Sequence, residues 1–251
     1  MIPEMVILKY VSILFMILFL LPGCAAVQAG PDPDCRGECV ILLHGLGRTE
    51  RSMADLAESL SQSGYCTVNS GYPSMDKTVS AIAEQYLPPM IDKCHEIDAK
   101  KIHLVTHSLG GIVVRKFLQN HDLPAGSRIV MISPPNQGSR IVDVLKDNFL
   151  FEWIYGPAGQ VLGTSPDSLP NTLKPVDAQI GVIAGNRSFN PLLSALVEGK
   201  DDGKVSVESA KLPEMQDFIV VEATHTFIMS DDEVIRQVKH FLRTGRFMHS
   251  D

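Results

Sequence analysis

Ile102-His103-Leu104-Val105-Thr106-His107-Ser108-Leu109-Gly110-Gly111 is the stretch on which the reading of this chain turns. An apolar run with β-branched residues enters a serine, and a glycine pair then opens an amphipathic stretch from Ile112 to His121. The pattern predicts strand, sharp turn and helix, with Ser108 at the apex of the turn. A serine in such an elbow is pushed out of the sheet with its hydroxyl exposed. Its backbone is strained and tolerates only small side chains two positions either side. Gly110 meets that demand. Thr106 stands where glycine is usual, so the motif is a variant. A serine ahead of a glycine-started helix also serves as a plain cap, and the rest of the chain has to choose between the two.

Working outward, Cys39 to Leu43 is a short apolar run ending in His44-Gly45-Leu46-Gly47. A helical pattern follows to Ser63, where Gly64 stops it. Tyr65 to Asn69 reads as a second strand and Val79 to Cys94 as a helix. Beyond the serine elbow, Arg128 to Ser133 is a strand closed by Pro134-Pro135. Gln179 to Ala184 is the next, and Asp217 to Glu222 the last, before a helix from Asp231 to Leu242. Strands alternating with helices predict an α/β protein with a mostly parallel sheet and helices on both faces. Ligands of such sheets bind beyond the carboxyl ends of the strands, so the polar residues at those ends are the candidates.

Those residues form a set. Ser108 follows one strand, Asp201-Asp202-Gly203 lies downstream of the next-to-last, and Thr224-His225-Thr226 follows the last. The order is nucleophile, acid, histidine. On these residues, with His44-Gly45-Leu46 and Asp202-Gly203-Lys204-Val205, the chain resembles the α/β-hydrolase superfamily, in its bacterial lipase and esterase branch. The resemblance runs over roughly residues 38 to 243. It implies an α/β-hydrolase fold and a serine hydrolase that cleaves carboxylic esters, of lipid or other acyl type, through an acyl-enzyme. In that reading Ser108 is the nucleophile, His225 the general base and acid, and Asp202 the orienting carboxylate. Asp202 is preferred to Asp201 because it stands first in the Asp-Gly-x-Val pattern; Asp201 points elsewhere and reads as a solvated loop charge. The backbone N–H groups of Leu46 and Leu109 are the implied oxyanion donors, supported by His44, Gly45 and Gly110. No metal or organic cofactor is implied.

The residue types suit the chemistry. An alcohol is a poor nucleophile until a base takes its proton, and an ordinary histidine, with a pKa of about 6.5, accepts and returns one near neutrality. A carboxylate on the far ring nitrogen fixes the tautomer and stabilises the imidazolium. Backbone N–H groups aimed at the developing oxyanion contribute roughly a hundred- to a thousandfold each in rate. The remaining histidines have plainer readings. His103 packs within its strand, His107 is structural beside the nucleophile or else touches the site, and His95, His121, His240 and His249 are solvated. His44-Gly45-Leu46-Gly47 also reads as a phosphate-cradling turn, but it lacks the lysine and hydroxyl residue of a nucleotide loop.

Between Gly138 and Pro175 the chain is longer than one crossover helix needs. Phe149, Leu150, Phe151, Trp153, Ile154 and Tyr155 crowd an apolar patch into it, and glycines and prolines then break regular structure. One reading is a helix packed on the core. The other is a cap or lid insert over about residues 139–175, with Phe149, Phe151, Trp153 and Tyr155 offering a groove to an acyl chain. Rivals to ester hydrolysis also stand, among them a peptidase, for which nothing specifies recognition of a peptide. An acyltransferase uses the same acyl-enzyme with a different acceptor. A non-catalytic, lipid-binding envelope lipoprotein predicts loss of a catalytic position, and none is missing.

The N-terminus reads as an address. Tyr10 to Leu21 is an apolar run of 12 residues behind Lys9, too short to span a bilayer and suited to a secretory signal. Leu21-Pro22-Gly23-Cys24 resembles a bacterial lipoprotein box in which Cys24 is lipidated, with proline a departure from the pattern. Ordinary cleavage after Val27-Gln28-Ala29 is the alternative. The expected organisation is a signal peptide over 1–23, a linker over 24–37, the catalytic domain over 38–245 and a short tail over 246–251. The protein is expected in the bacterial cell envelope, anchored to the membrane or else soluble after export. Cys35, Cys39, Cys66 and Cys94 then permit two disulfides in three possible pairings. With 251 residues, a hydrophobic fraction of 45% and a net charge of −7, the chain suits one substantial domain and argues against nucleic acid as a partner. The expected partners are an ester or lipid substrate and the membrane.

Overall fold

The computed structural model describes residue 35, residues 37–145 and residues 149–249. The segments expected to be signal peptide and linker, Cys24 included, lie outside the described residues apart from Cys35 and Gly37. Six strands form one all-parallel sheet in the order β2-β1-β3-β4-β5-β6. They are β1 (Glu38–Leu43), β2 (Cys66–Asn69), β3 (Lys101–His107), β4 (Arg128–Ile132), β5 (Gln179–Gly185) and β6 (Asp217–Val221). Beyond their first residues, β1, β3, β4 and β5 are buried throughout rather than at alternate positions. That is the signature of a sheet covered on both faces. The sequence places every strand to within one residue or so at either end.

One face is covered by the helix α1 (Ala54–Ser61) together with the C-terminal helix. Met53, Leu56 and Leu60 pack there with Val234, Val238 and Phe241 over Val40, Leu42, Val105, Val130 and Ile183. The helix α2 (Val79–Glu96) packs against α3 (Leu109–Phe117), and together they contact β1 to β4. The helix after the serine therefore starts at Leu109, directly behind it, and ends four residues before His121. The insert between β4 and β5 holds three short helices, α4 (Arg140–Leu145), α5 (Phe149–Gln160) and α6 (Leu169–Thr172), and α7 (Pro191–Ser194) follows β5. The last helix, α8 (Asp232–Thr244), is capped by Asp231, whose carboxylate accepts the N–H groups of Glu233 and Val234 at 2.9 and 3.2 Å. Gly245 closes it at φ +80°, a left-handed position that glycine adopts at little cost.

The cysteines pair as Cys35–Cys66 and Cys39–Cys94. The second bond ties β1 to α2, and the first holds the segment before β1 to the edge strand β2. Among the described residues no helix is long and apolar enough to cross a membrane. The topology also fixes where a ligand belongs. From β1 the chain moves to one side to make β2, then crosses to the other side for β3. The crevice beyond the carboxyl ends of β1 and β3 is thus a topological switch point, where open α/β sheets bind their ligands.

Candidate active site

Ser108 sits at that switch point with φ +51° and ψ −118°, one of only three non-glycine residues at positive φ among those described. Its N–H donates to the Ile132 carbonyl at 2.9 Å, and its own carbonyl accepts the Gly111 N–H at 3.0 Å. The elbow is therefore held by β4 on one side and by α3 on the other. The hydroxyl caps no helical N–H, so the plain-cap alternative does not describe it. Gly110 is required: a Cβ there would lie 2.7 Å from the Leu43 carbonyl oxygen. Thr106, where glycine is usual, is fully buried. Gly111 is fixed by another neighbour, since a Cβ there would lie 3.0 Å from Pro134 Cβ.

His225 and Asp202 converge on this serine. His225 Nε2 is 3.0 Å from Ser108 Oγ, and His225 Nδ1 is 2.7 Å from Asp202 Oδ2. A carboxylate only accepts, so Nδ1 carries the proton and the Nε2 lone pair faces the serine hydroxyl. Backbone bonds set this geometry. The His225 N–H donates to the Asp202 carbonyl at 2.9 Å, joining the loop after β6 to the loop after β5. Asp202 Oδ1 accepts the N–H groups of Lys204 at 3.0 Å and Val205 at 2.9 Å. Gly185, at the end of β5, lets the acid loop approach, since a Cβ there would lie 2.9 Å from Asp202 Cβ. Burial alone would push the Asp202 carboxyl up. The charge and hydrogen bond of His225, with the Val205 N–H and the Ser133 hydroxyl, outweigh it and hold the group below the usual carboxylate range.

Asp201 corrects a sequence expectation. It is buried, not solvated, at 5% exposure. Its carboxylate accepts the Ser194 hydroxyl and, at 2.7 Å, the Gly203 N–H. It faces away from His225, as two adjacent side chains in an extended loop must. It pins the loop rather than serving the histidine.

The loop after β1 is equally fixed. His44 Nε2 accepts the Tyr72 N–H at 3.3 Å, which leaves Nδ1 to donate to the Gly45 carbonyl at 2.9 Å. The two rings stack 4.0 Å apart, and the Tyr72 hydroxyl donates to the His44 carbonyl. Burial keeps His44 below the usual histidine pKa and hence neutral. Gly47 N–H donates to Ser74 Oγ at 3.1 Å. A Cβ on Gly45 would lie 2.8 Å from His107 Nδ1 and 3.2 Å from Ser108 Cβ. Glycine at 45 thus brings the Leu46 backbone alongside the serine, and Leu109 lies directly after it. His107 is the strut between them. Its Nε2 donates to the His225 carbonyl at 3.0 Å. Burial first, then the charges of His225, Arg48 and Lys204, hold it neutral.

The insert lies over these loops. At Gly156 (φ +57°) α5 kinks against the loop after β2, with no room for a side chain beside the Met75 carbonyl. A Cβ on Gly159 would lie 3.1 Å from Leu46 Cδ2. Ser139, where the insert begins, donates its hydroxyl to the Lys204 carbonyl at 2.7 Å. Tyr155 is half-buried near Arg48, and burial raises its phenol while that guanidinium partly offsets the effect. The side chains of Phe149, Phe151 and Trp153 lie outside the described residues. Sequence reasoning missed Ser133, Tyr72 and Arg48. Ser133 was the most accessible of these, being a polar residue at the carboxyl end of β4.

By sequence, the chain matches no protein-family model and no curated protein. By structure it is similar to several solved enzymes. A lipase of Bacillus licheniformis in mature form superposes with a TM-score of 0.65 at 20% identity, covering 87% of this chain and 96% of that one. An esterase of Pyrococcus furiosus gives 0.59 at 19%, covering 87% and 85%. A monoacylglycerol lipase of Paleococcus ferrophilus gives 0.53 at 18%, covering 82% and 94%. At such identities the likeness establishes the fold, and the fold is that of the α/β-hydrolases.

Proposed function

We propose that the protein hydrolyses carboxylic esters through an acyl-enzyme on Ser108. The observation that carries the reading is the hydrogen-bonded line from Asp202 through His225 to a serine on a strained elbow at the switch point of the sheet. As Ser108 Oγ attacks the ester carbonyl, its proton passes to His225 Nε2, and Asp202 stabilises the imidazolium. The oxyanion is met by the N–H groups of Leu46 and Leu109. His225 then protonates the leaving alcohol, and the acyl group stays on Ser108. Water enters and gives its proton to the same nitrogen as its oxygen attacks the acyl carbon. That proton then passes to Ser108 Oγ as the bond to the acyl group breaks and the acid leaves. The insert forms the cap, and we assign the acyl chain to the space beneath α5. The lipase and esterase names of the structural neighbours agree with this reading.

Two disulfides favour an oxidising compartment, which accords with export and with a lipid anchor at Cys24. The test of the chemistry uses a fluorophosphonate probe and p-nitrophenyl esters of graded chain length. Labelling is expected at Ser108. Ser108→Ala is expected to abolish labelling and lower turnover on the order of a millionfold, as nucleophile deletions do elsewhere. Labelling at another serine, or an active alanine variant, refutes the assignment.

A further inference from the structure

Two cations flank the candidate site, and neither has a carboxylate to itself. Arg48 leaves the loop after β1, and its Nη2 donates to the Thr226 carbonyl at 3.2 Å, one residue beyond His225. Lys204 stands two residues after Asp202, its N–H on the Asp202 carboxylate at 3.0 Å and its carbonyl held by Ser139. Both side chains are half-buried. Among the described residues neither forms an ion pair within 4.0 Å. Asp202, whose charge bears on Lys204, is committed to His225, to two backbone N–H groups and to the Ser133 hydroxyl. Asp201 is committed to Ser194 and Gly203.

Like charges held together in a partly buried crevice destabilise the fold unless something neutralises them. The strain is visible on Lys204. Burial first, and then the Arg48 guanidinium, pull its ammonium down to about 8, with Asp202 only partly opposing them. The same two cations also bear on His107, beside the nucleophile.

We propose that Arg48 and Lys204 form a subsite for an anionic group, phosphate or carboxylate, carried by the substrate close to its scissile ester. The inference rests on the ester-hydrolase reading above and names the substrate class of that site. An arginine supplies a planar fork of donors and a lysine a point charge, a pairing suited to a multiply charged oxyanion. The preferred substrate is then an acyl ester of an alcohol that also bears such a group, with the acyl chain under the cap and the anion between the two cations.

The test compares kcat/KM for 1-acylglycerol 3-phosphate, for the acylglycerol hemisuccinate and for the neutral monoacylglycerol of the same chain. Assays run below the critical micelle concentration. Wild type is expected to favour an anionic ester by roughly ten- to a hundredfold, the range set by one or two charge-assisted hydrogen bonds. The phosphate and hemisuccinate arms tell which anion it is. In Lys204→Gln and Arg48→Gln the ratio of anionic to neutral kcat/KM is expected to fall towards unity through KM, and Lys204→Arg to restore it. The ratio is taken within each variant, so a general loss of folding cancels. A wild type that cleaves neutral esters equally well overturns the subsite and leaves the hydrolase reading intact. Equal losses on both esters also overturn it, assigning the cations to the reaction centre. No cleavage of any ester overturns the hydrolase reading itself.

Discussion

Replacing Asp202 with asparagine should disable the proposed triad through hydrogen-bond direction alone, without altering its shape. Asp202 Oδ1 accepts two backbone N–H groups, at 3.0 and 2.9 Å, while Oδ2 faces His225 Nδ1 at 2.7 Å. An asparagine has one oxygen and one NH2 for those two places. Its oxygen must take the Oδ1 position, because an NH2 there would oppose two donors and forfeit both bonds, at roughly 1 kcal/mol or more each. The NH2 is then forced against His225 Nδ1 and can only donate. Nδ1 must become the acceptor, the ring proton moves to Nε2, and the nitrogen 3.0 Å from Ser108 can no longer take a proton. In the best-studied triad enzyme this substitution costs about 10⁴-fold in kcat, and a loss of that order is expected here. Asp201→Asn keeps its bond to the Gly203 N–H and can donate to Ser194, so its effect should stay within about tenfold, or roughly 1.4 kcal/mol. The assay is steady-state hydrolysis of p-nitrophenyl butyrate, with circular dichroism to establish folding. A loss below a hundredfold for a folded Asp202→Asn, or a larger loss for Asp201→Asn, refutes the directional argument.

Three further outcomes follow from the same contacts. The disulfides close loops of 31 and 55 residues, each worth about 4 kcal/mol by chain entropy and less in combination because the loops overlap; reduction should lower the guanidinium midpoint markedly, and an unchanged midpoint would exclude these pairings. His44, His103 and His107 are buried with pKa values below the usual histidine value, burial being the largest cause for each. The unfolded chain therefore binds protons first as pH falls below about 6.5, and stability should drop by up to roughly 1.4 kcal/mol per pH unit per histidine until each folded pKa is passed; a melting temperature flat from pH 7 to 5 contradicts this. If Cys24 is lipidated, Cys24→Ser should release the protein from membranes, since each buried methylene of an anchor contributes about 0.8 kcal/mol; an unlipidated mature N-terminus in mass spectrometry removes the anchor.

The fold was legible because a parallel sheet buried on both faces writes its strands as continuous apolar runs. Arg128 to Ile132 and Gln179 to Gly185 are two such runs, and no periodicity argument was needed to find them. The candidate site was legible where chemistry and backbone demand coincide. Ser108 needed glycine at 110, and the acid needed Gly203 behind it, so spacing along the chain carried the signal. Asp201 shows where that signal stops. A loop aspartate between a lysine and a second aspartate reads as solvated, and only the fold brings the Ser194 hydroxyl to it.

The roles of Arg48 and Lys204 were opaque for a related reason. Their importance lies in contacts between loops whose strands are distant in sequence: Arg48 reaches Thr226 across 178 residues. The carboxyl ends of parallel strands gather residues that the sequence scatters, so a charge there is written like any surface charge. Its lack of a partner appears only once the acids around it are seen to be engaged elsewhere. Lys204 is the clearest instance. It occupies the variable position of an Asp-Gly-x-Val pattern, where the motif itself asks for nothing. The fold nonetheless buries its stem, sets it beside Arg48 and commits Asp202 to His225. Two like charges that bear on one another are a cost that the proposed anionic group would relieve, and that is why position 204 is the one to vary first.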